Sequence, residues 1–173
     1  MHSTYYVVAG LCLLGLAIRT SYELLKKAGR IDSRNKAVFA VVFAAMCTML
    51  GSWPLMVPLD PVQFFMPNLV QDLGIGLVAV GCTLAVVGLV QLRGVENIGH
   101  LVTTGLYAHL RHPMYMGFIL WILGWSVRYG AVVSMALGIL CIGNIFFWEH
   151  LEERAMEAQY GEEYRAYRKR TWL

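Results

Sequence analysis

Five long apolar stretches divide the chain, and short polar segments separate them. An α-helix needs about 20 mostly apolar residues to cross the hydrocarbon core of a bilayer. The pattern therefore predicts spanning helices at residues 5–25, 37–57, 73–92, 113–127 and 131–148. The fourth stretch is short, and only residues 128–130 join it to the fifth, so we expect these two helices to form a tight hairpin.

The composition agrees with a membrane protein, because 58% of the 173 residues are hydrophobic and 14% are charged. A soluble domain of this length cannot bury so much apolar surface, whereas a surface that faces lipid can remain apolar. We predict an all-α fold, namely a polytopic membrane helix bundle of about five transmembrane helices with a cytoplasmic C-terminal helix.

Lysine and arginine residues crowd alternate connections between the predicted helices. Five lie after the first helix, two after the third and five in the C-terminal tail, whereas the fourth connection holds only Arg128. Cytoplasmic connections carry such an excess of cations. We therefore predict that the N-terminus lies outside and the C-terminus in the cytoplasm, in a prokaryotic inner membrane. Arg19, inside the first apolar stretch, can pair with Glu23 one helical turn later.

Two classes of partner are not expected from this sequence. No basic stripe lies on a soluble element, so we expect no nucleic-acid partner. The four cysteines lie in apolar stretches and have no paired spacing, so we expect neither a disulfide framework nor a bound metal.

Glycines recur at heptad spacing in the third and fourth apolar stretches, at Gly74, Gly81 and Gly88 and again at Gly117 and Gly124. Small residues on one face allow helix backbones to approach closely in lipid. We expect these glycines to mark helix packing, with a flat slot for a ligand as the alternative.

The polar segment before the fourth helix contains the pattern of an anion site. Pro113 suits the first position of a helix, where its missing N–H costs nothing, and His112 would then be the N-cap. Free N–H groups at a helix start attract anions, and Arg111 stands beside them. The alternative, which the spacing supports equally, is an interfacial Arg–His pair that anchors the helix end to lipid head groups.

Glu149, Glu152 and Glu153 follow the fifth stretch and share one helix face. Like charges at this spacing repel by a few tenths of a kcal/mol. We expect Arg111, a ligand or both to offset that repulsion; a solvated acidic face is the alternative. An anion site, a carboxylate cluster and several aromatic residues on one membrane face suit S-adenosylmethionine, which carries a carboxylate, an ammonium, a sulfonium and an adenine.

Several motifs occur in a recognisable order: Leu101-Val102-Thr103-Thr104-Gly105-Leu106-Tyr107, Arg111-His112-Pro113-Met114-Tyr115-Met116-Gly117, Glu152-Glu153, Tyr160-Gly161-Glu162-Glu163-Tyr164 and Tyr167. Together they resemble the isoprenylcysteine carboxyl methyltransferase family and, more distantly, the phospholipid N-methyltransferases. The resemblance covers about residues 70–173. It implies one membrane methyltransferase domain over 1–173, with two helices without a motif in 1–69 and a catalytic region in 70–173.

The resemblance also implies roles for particular residues and partners. The implied cofactor is S-adenosylmethionine, and the implied partners are membrane lipid and a lipophilic small molecule or prenylated substrate. The catalytic residues would be Arg111, Glu152 and Glu153, and the substrate would meet Trp148 and Glu149. The cofactor would contact Gln91, His100, Leu101, Val102, Tyr107, His112, Pro113, Met114, Tyr115 and Glu152.

Trp148 departs from the family pattern, in which an arginine about one turn before the motif glutamate helps to hold the substrate carboxylate. Arg111 is the only other nearby cation that we expect to face the site, and we expect it to be engaged by the cofactor end or the glutamates. A neutral or cationic lipophilic acceptor against the Trp148 ring is therefore expected. The alternatives are a phospholipid or small-amine N-methyltransferase and, in another class, a small non-enzymatic membrane transporter.

Overall fold

The computed structural model describes residues 2–32, 35–92 and 100–172, and helices make up most of these ranges. No β-strand occurs within them, so the predicted all-α fold is confirmed. The helices are α1 (His2–Lys27), α2 (Lys36–Met56), α3 (Asn68–Leu92), α4 (Pro113–Tyr129), α5 (Val132–Tyr160) and α6 (Glu162–Arg168). Short 3-10 turns lie at Val57–Leu59 and Gly105–Ala108.

Four of these helices, α1, α2, α3 and α5, are long and apolar enough to cross a membrane. Large apolar side chains such as Leu14, Phe43, Val90 and Leu140 are exposed on their outer faces, as an integral membrane protein requires. Helix α4 has 17 residues, which span about 25 Å at the helical rise and fall short of a hydrocarbon core of about 30 Å. The polytopic bundle is therefore confirmed, with α4 as its short member.

The glycines of α3 and α4 bring these two helices into backbone contact in antiparallel orientation. A Cβ atom added to Gly81 would lie 2.6 Å from the carbonyl oxygen of Gly117, and one added to Gly124 would lie 2.7 Å from that of Gly74. The packing interpretation of the heptad glycines is confirmed. The alternative of a ligand slot is wrong, because the opposite backbone already fills the space.

Helix α4 reaches α5 through a tight turn, as predicted. Gly130 ends α4 in the left-handed conformation at φ 59°, which a glycine adopts without strain. The buried Asp60 carboxylate then accepts a hydrogen bond from the backbone N–H of Ser134 at 2.6 Å and another from Val62 at 2.9 Å. Because the Asp60 carboxylate caps a backbone N–H group in the first turn of α5, it fixes where this long helix begins. Helix α4 nevertheless packs more extensively against α3 than against α5.

The C-terminal segment folds back over the connection between α3 and α4. Gly161, at φ 52°, separates α5 from α6. The Tyr167 hydroxyl donates to the Tyr107 carbonyl at 2.7 Å. Trp172 donates its backbone N–H to the His109 carbonyl at 2.8 Å. These contacts bring α6 and the charged end of α5 against the start of α4.

Candidate functional site

The start of α4 presents backbone N–H groups that no capping side chain uses. Pro113 is the first helical residue and His112 is the N-cap, as predicted, but the His112 side chain makes no capping hydrogen bond. The first intrahelical hydrogen bond runs from Met116 N–H to the His112 carbonyl at 3.0 Å. The N–H groups of Met114 and Tyr115 precede it, so they have no acceptor within the helix.

Arg111 binds the acidic cluster and also the C-terminal segment. Its Nε donates to Glu153 Oε1 at 2.8 Å. Its Nη1 donates to the carbonyl oxygens of Thr171 at 3.0 Å and Arg168 at 3.3 Å. The expectation that Arg111 offsets the charge of the glutamates is therefore confirmed for Glu153. Nε of Arg111 thus binds the glutamate, while its Nη1 holds the loop against the tail.

His112 lies between the two adjacent glutamates. Its Nδ1 is 3.9 Å from Glu152 Oε2, and its Nε2 is 3.7 Å from Glu153 Oε1. Nε2 is buried and has no hydrogen-bond partner among the residues that the structure describes. The Tyr115 ring stacks on the His112 ring at a centroid distance of 5.5 Å. A buried polar atom without a partner favours a bound polar group at this position.

The same neighbourhood offers three groups of the kind that bind metal ions. His112, Glu149 and Glu153 place one ligand atom each within 4.8 Å of one another. Arg111 already binds Glu153, and its fixed positive charge at short range opposes a divalent cation. The geometry of this cluster is therefore that of an ion-pair network around Glu153.

Gln91 supports the turn that precedes the Arg-His-Pro motif. Its Oε1 accepts a hydrogen bond from the Leu106 N–H at 2.8 Å. Gly105 has φ +65° and lies so close that an added Cβ would be 2.5 Å from the Gln91 amide nitrogen. Tyr107, two residues later, donates its hydroxyl to the Gly88 carbonyl at 3.3 Å. Gln91 and α3 thus fix the conformation of this turn.

Other predicted cofactor residues lie before that turn. His100 is exposed, and Leu101 and Val102 are half-buried. They follow residues 93–99, which lie outside the described part of the chain. The backbone that the resemblance assigns to the cofactor is therefore described only from residue 100 onward.

Three buried tyrosines near the glutamates remain neutral at physiological pH. Burial, with the nearby Glu152 charge, raises the pKa of Tyr107 above its usual range. Burial and the Glu153 charge do the same to the pKa of Tyr164. Burial also raises the pKa of Tyr167 to about 12. None of these phenols is suited to act as a base, and those of Tyr107 and Tyr167 donate hydrogen bonds.

Helix α1 contributes residues to this region that the sequence analysis did not assign to it. The predicted pairing of Arg19 with Glu23 is confirmed. The Arg19 guanidinium also lies 5.4 Å from the centroid of the Trp148 ring. The Trp148 indole N–H donates to Thr20 Oγ1 at 3.3 Å. An arginine and a glutamate four residues apart at the end of an apolar helix were visible in the sequence, but their proximity to Trp148 was not.

This placement corrects the expectation that Arg111 is the only other cation near Trp148. Arg19 lies directly against Trp148, and Trp148 itself is buried, with 4% of its surface exposed. Glu149, predicted beside the substrate with Trp148, is half-buried and lies with His112 and Glu153. The expectation of a neutral or cationic acceptor assumed that no cation besides Arg111 lies near Trp148, and the position of Arg19 removes that assumption.

An apolar cavity of about 20 Å³ lies beside Trp148, between α1, α2, α4 and α5. Only apolar surface is exposed in it. Its walls include Leu16, Met49, Trp53, Phe118, Ile145 and Trp148. Trp148 therefore contacts the Arg19 guanidinium and also lines this apolar cavity.

Comparisons with known proteins identify relatives of this chain. The family model described as phospholipid methyltransferase matches residues 71–163. The protein-S-isoprenylcysteine O-methyltransferase of Schizosaccharomyces pombe is 39% identical over 79 residues, which cover 44% of this chain and 33% of that protein. The Arabidopsis thaliana protein-S-isoprenylcysteine O-methyltransferase B is 33% identical over 85 residues, which cover 48% of this chain and 42% of that protein.

The chain thus spans less than half the length of either relative. No solved structure matches it. The family match covers the start of α4 and the glutamates of α5, where the site residues converge. The chain therefore belongs to the phospholipid methyltransferase family, and the likeness to isoprenylcysteine methyltransferases that its motifs predicted is confirmed.

Proposed function

We propose that this protein is an S-adenosylmethionine-dependent methyltransferase that acts on a lipophilic acceptor at the cytoplasmic face of a membrane. The observation that carries the proposal is the position of His112 between the unused N–H groups of α4 and the carboxylate of Glu152. N–H groups at a helix start favour a carboxylate, and a glutamate favours an ammonium. Together, a site for a carboxylate and a site for an ammonium fit the two charged groups at the amino-acid end of the cofactor.

The residues present fit that cofactor in further respects. Glu152 keeps 41% of its side chain exposed, so its charge is accessible. The buried Nε2 of His112 has no partner among the described residues and can serve a bound carboxylate. We assign Gln91, His100, Leu101, Val102, Tyr107 and Pro113 to the rest of the cofactor site. Within this set, Gln91 acts through the Gly105 turn that it supports.

When bound, S-adenosylmethionine supplies a methyl group on a positively charged sulfur. The protein then has to align the acceptor and exclude water. We propose that Glu152, His112 and the α4 N–H groups hold the cofactor, and that the Arg111–Glu153 pair positions the loop that carries them. An anionic acceptor needs no base, whereas an amine would need one, for which Glu149 is the candidate because Glu153 is paired with Arg111.

Family membership supports this function over that of a transporter, and so does the distribution of polar side chains. Transporters bind near the middle of the membrane, whereas here the carboxylates, His112 and Arg111 gather at one end of the bundle. Because most lysines and arginines also lie at that end, we propose that it is cytoplasmic.

Titration calorimetry with S-adenosylhomocysteine, the product of the cofactor, tests the proposal. The full chain in lipid nanodiscs should bind it saturably, and methyl transfer from labelled S-adenosylmethionine to prenylated thioethers should follow. A folded protein that binds no S-adenosylhomocysteine would contradict the proposed function. Preferential methylation of phospholipid amines would instead indicate the N-methyltransferase alternative.

A further inference from the structure

We propose that Arg19, on the first helix, recognises the acceptor by binding an anionic group at its head. The inference rests on the proposed function, since it names the acceptor chemistry of the same site. The Arg19 guanidinium lies 5.4 Å from the centroid of the Trp148 ring and 5.5 Å from that of the Tyr22 ring. Two aromatic rings and the pairing with Glu23 thus fix the position of this cation.

Arg19 contacts Trp148, which lies close in the chain to the candidate cofactor residue Glu152 and also lines the apolar cavity. Tyr115, at the start of α4, packs against the buried apolar cluster that contains Trp148. Trp148, which Arg19 contacts, precedes Glu152 by one helical turn and forms part of the cavity wall. An acceptor with its chain in or beside the cavity would therefore have its head near Arg19 and its reactive atoms toward Glu152.

The surroundings of Arg19 strengthen its interaction with an anion. Only 13% of the Arg19 side chain and 14% of the Glu23 side chain are exposed. Charges that are largely removed from water interact more strongly than exposed ones. A guanidinium is always protonated and matches the two oxygens of a carboxylate. A carboxylate, or an anion of similar shape, is therefore the head group that suits this position.

Glu23 balances the positive charge of Arg19. A partly buried arginine without a counter-charge is costly, and Glu23 supplies that charge when no acceptor is present. A bound carboxylate would compete with Glu23 for the same guanidinium. Arg19 and Glu23 should therefore affect acceptor affinity in opposite directions, whereas a purely structural ion pair predicts that the loss of either residue has the same effect.

The apolar side of the site agrees with a lipophilic chain on this head group. The cavity is too small for a whole prenyl chain. Its walls come from four different helices, and flexible side chains such as Met49 and Leu16 form part of them. A chain that separates these side chains would meet almost only carbon atoms. The acceptor class is therefore a long apolar chain that ends in an anion.

The test measures binding of S-farnesylthioacetate and of its uncharged primary amide to the full chain in nanodiscs, without cofactor. Arg19→Gln should weaken binding of the acid by about tenfold or more, as expected for the loss of a charge-assisted contact, and should leave binding of the amide unchanged. Arg19→Lys should lose part of the preference for the acid. Glu23→Gln should strengthen binding of the acid.

Arg30→Gln is the matched control, because it removes an exposed cation beyond the end of α1 and should change neither affinity. Equal losses for acid and amide in Arg19→Gln, or weaker binding of the acid in Glu23→Gln, would overturn the inference and assign a structural role to the pair. S-adenosylhomocysteine titration of the same samples separates the two proposals. Wild type that fails to bind this compound contradicts the proposed function, whatever the Arg19 variants do to the acid.

Discussion

Glu152 and Glu153 are neighbours in sequence but lie in different environments. Glu153 contacts Arg111 at 2.8 Å and Arg168 at 3.7 Å, and only 14% of its side chain is exposed. Glu152 is 41% exposed and has only the His112 ring within ion-pair distance among the described residues. Glu153 is therefore committed to holding the C-terminal segment, whereas Glu152 is available to a ligand.

The first prediction follows from this difference. Glu152→Gln preserves shape and removes charge, so its affinity for S-adenosylhomocysteine should fall by about ten- to a hundredfold, the effect of losing a hydrogen bond to a charged group. Thermal stability should remain close to that of the wild type, because Glu152 is partly exposed and forms no ion pair with an arginine or lysine among the described residues. Calorimetry measures the affinity, and Glu163→Gln, on the exposed face of α6, is the control. Unchanged affinity in Glu152→Gln would remove this residue from the site.

The two parts of the candidate site differ in how well the sequence predicted them. His112 and Pro113 belong to a helix start, and Glu152 and Glu153 belong to one helix; these local patterns are confirmed, whereas the roles of the four residues in a site stay predictions. The pairing of Arg19 with Glu23 was also local. The contact between Arg19 and Trp148 joins residues far apart in sequence, and helical periodicity contains no information about which helices become neighbours.

Helix boundaries illustrate what hydropathy can and cannot indicate. The apolar pattern ended the fifth helix at Trp148, but α5 continues to Tyr160. Hydropathy marks where a helix leaves the bilayer, whereas the helix itself continues as long as its backbone hydrogen bonds are maintained. Gly161 then ends it. The polar extension of α5 is what carries the glutamates to the start of α4.

The packing of α3 on α4 gives the second prediction, which compares two glycines of one helix. Gly81→Ala would place a Cβ atom 2.6 Å from the Gly117 carbonyl oxygen and force the helices apart, at a cost of about 1–3 kcal/mol. Gly76→Ala meets no atom within 4 Å and should be neutral or slightly stabilising, because alanine favours the helix. Thermal unfolding in detergent measures both. A similar change in the two variants would contradict this account of the interface.

The arrangement of the whole bundle concentrates its chemistry at one end. The start of α4, the end of α5, α6 and the end of α1 meet there. Asp60, Ser134 and the turn at Gly130 lie at the opposite end. The composition and the apolar pattern predicted an all-helical membrane bundle, but the convergence of three helix ends and the tail on His112 depends on packing. Because these groups lie at one end of the bundle, that end must face the cytoplasm for the proposed site to reach the cytoplasmic supply of S-adenosylmethionine.

The last prediction therefore concerns orientation. In the sequence, twelve of the fourteen lysines and arginines lie after the first helix, after the third helix or in the C-terminal tail, and cations next to membrane-spanning helices are enriched on the cytoplasmic side. In a variant whose four cysteines are replaced by alanine, single cysteines at Ser3 and Asp72 should react with a membrane-impermeant maleimide in intact cells. A cysteine at Lys169 should react only after permeabilisation. Binding of S-adenosylhomocysteine by the cysteine-free variant controls for folding. Labelling of Lys169→Cys in intact cells, with protection of the other two, would place Glu152 and His112 outside, away from the cytoplasmic supply of S-adenosylmethionine, and would contradict both the orientation and the proposed reaction.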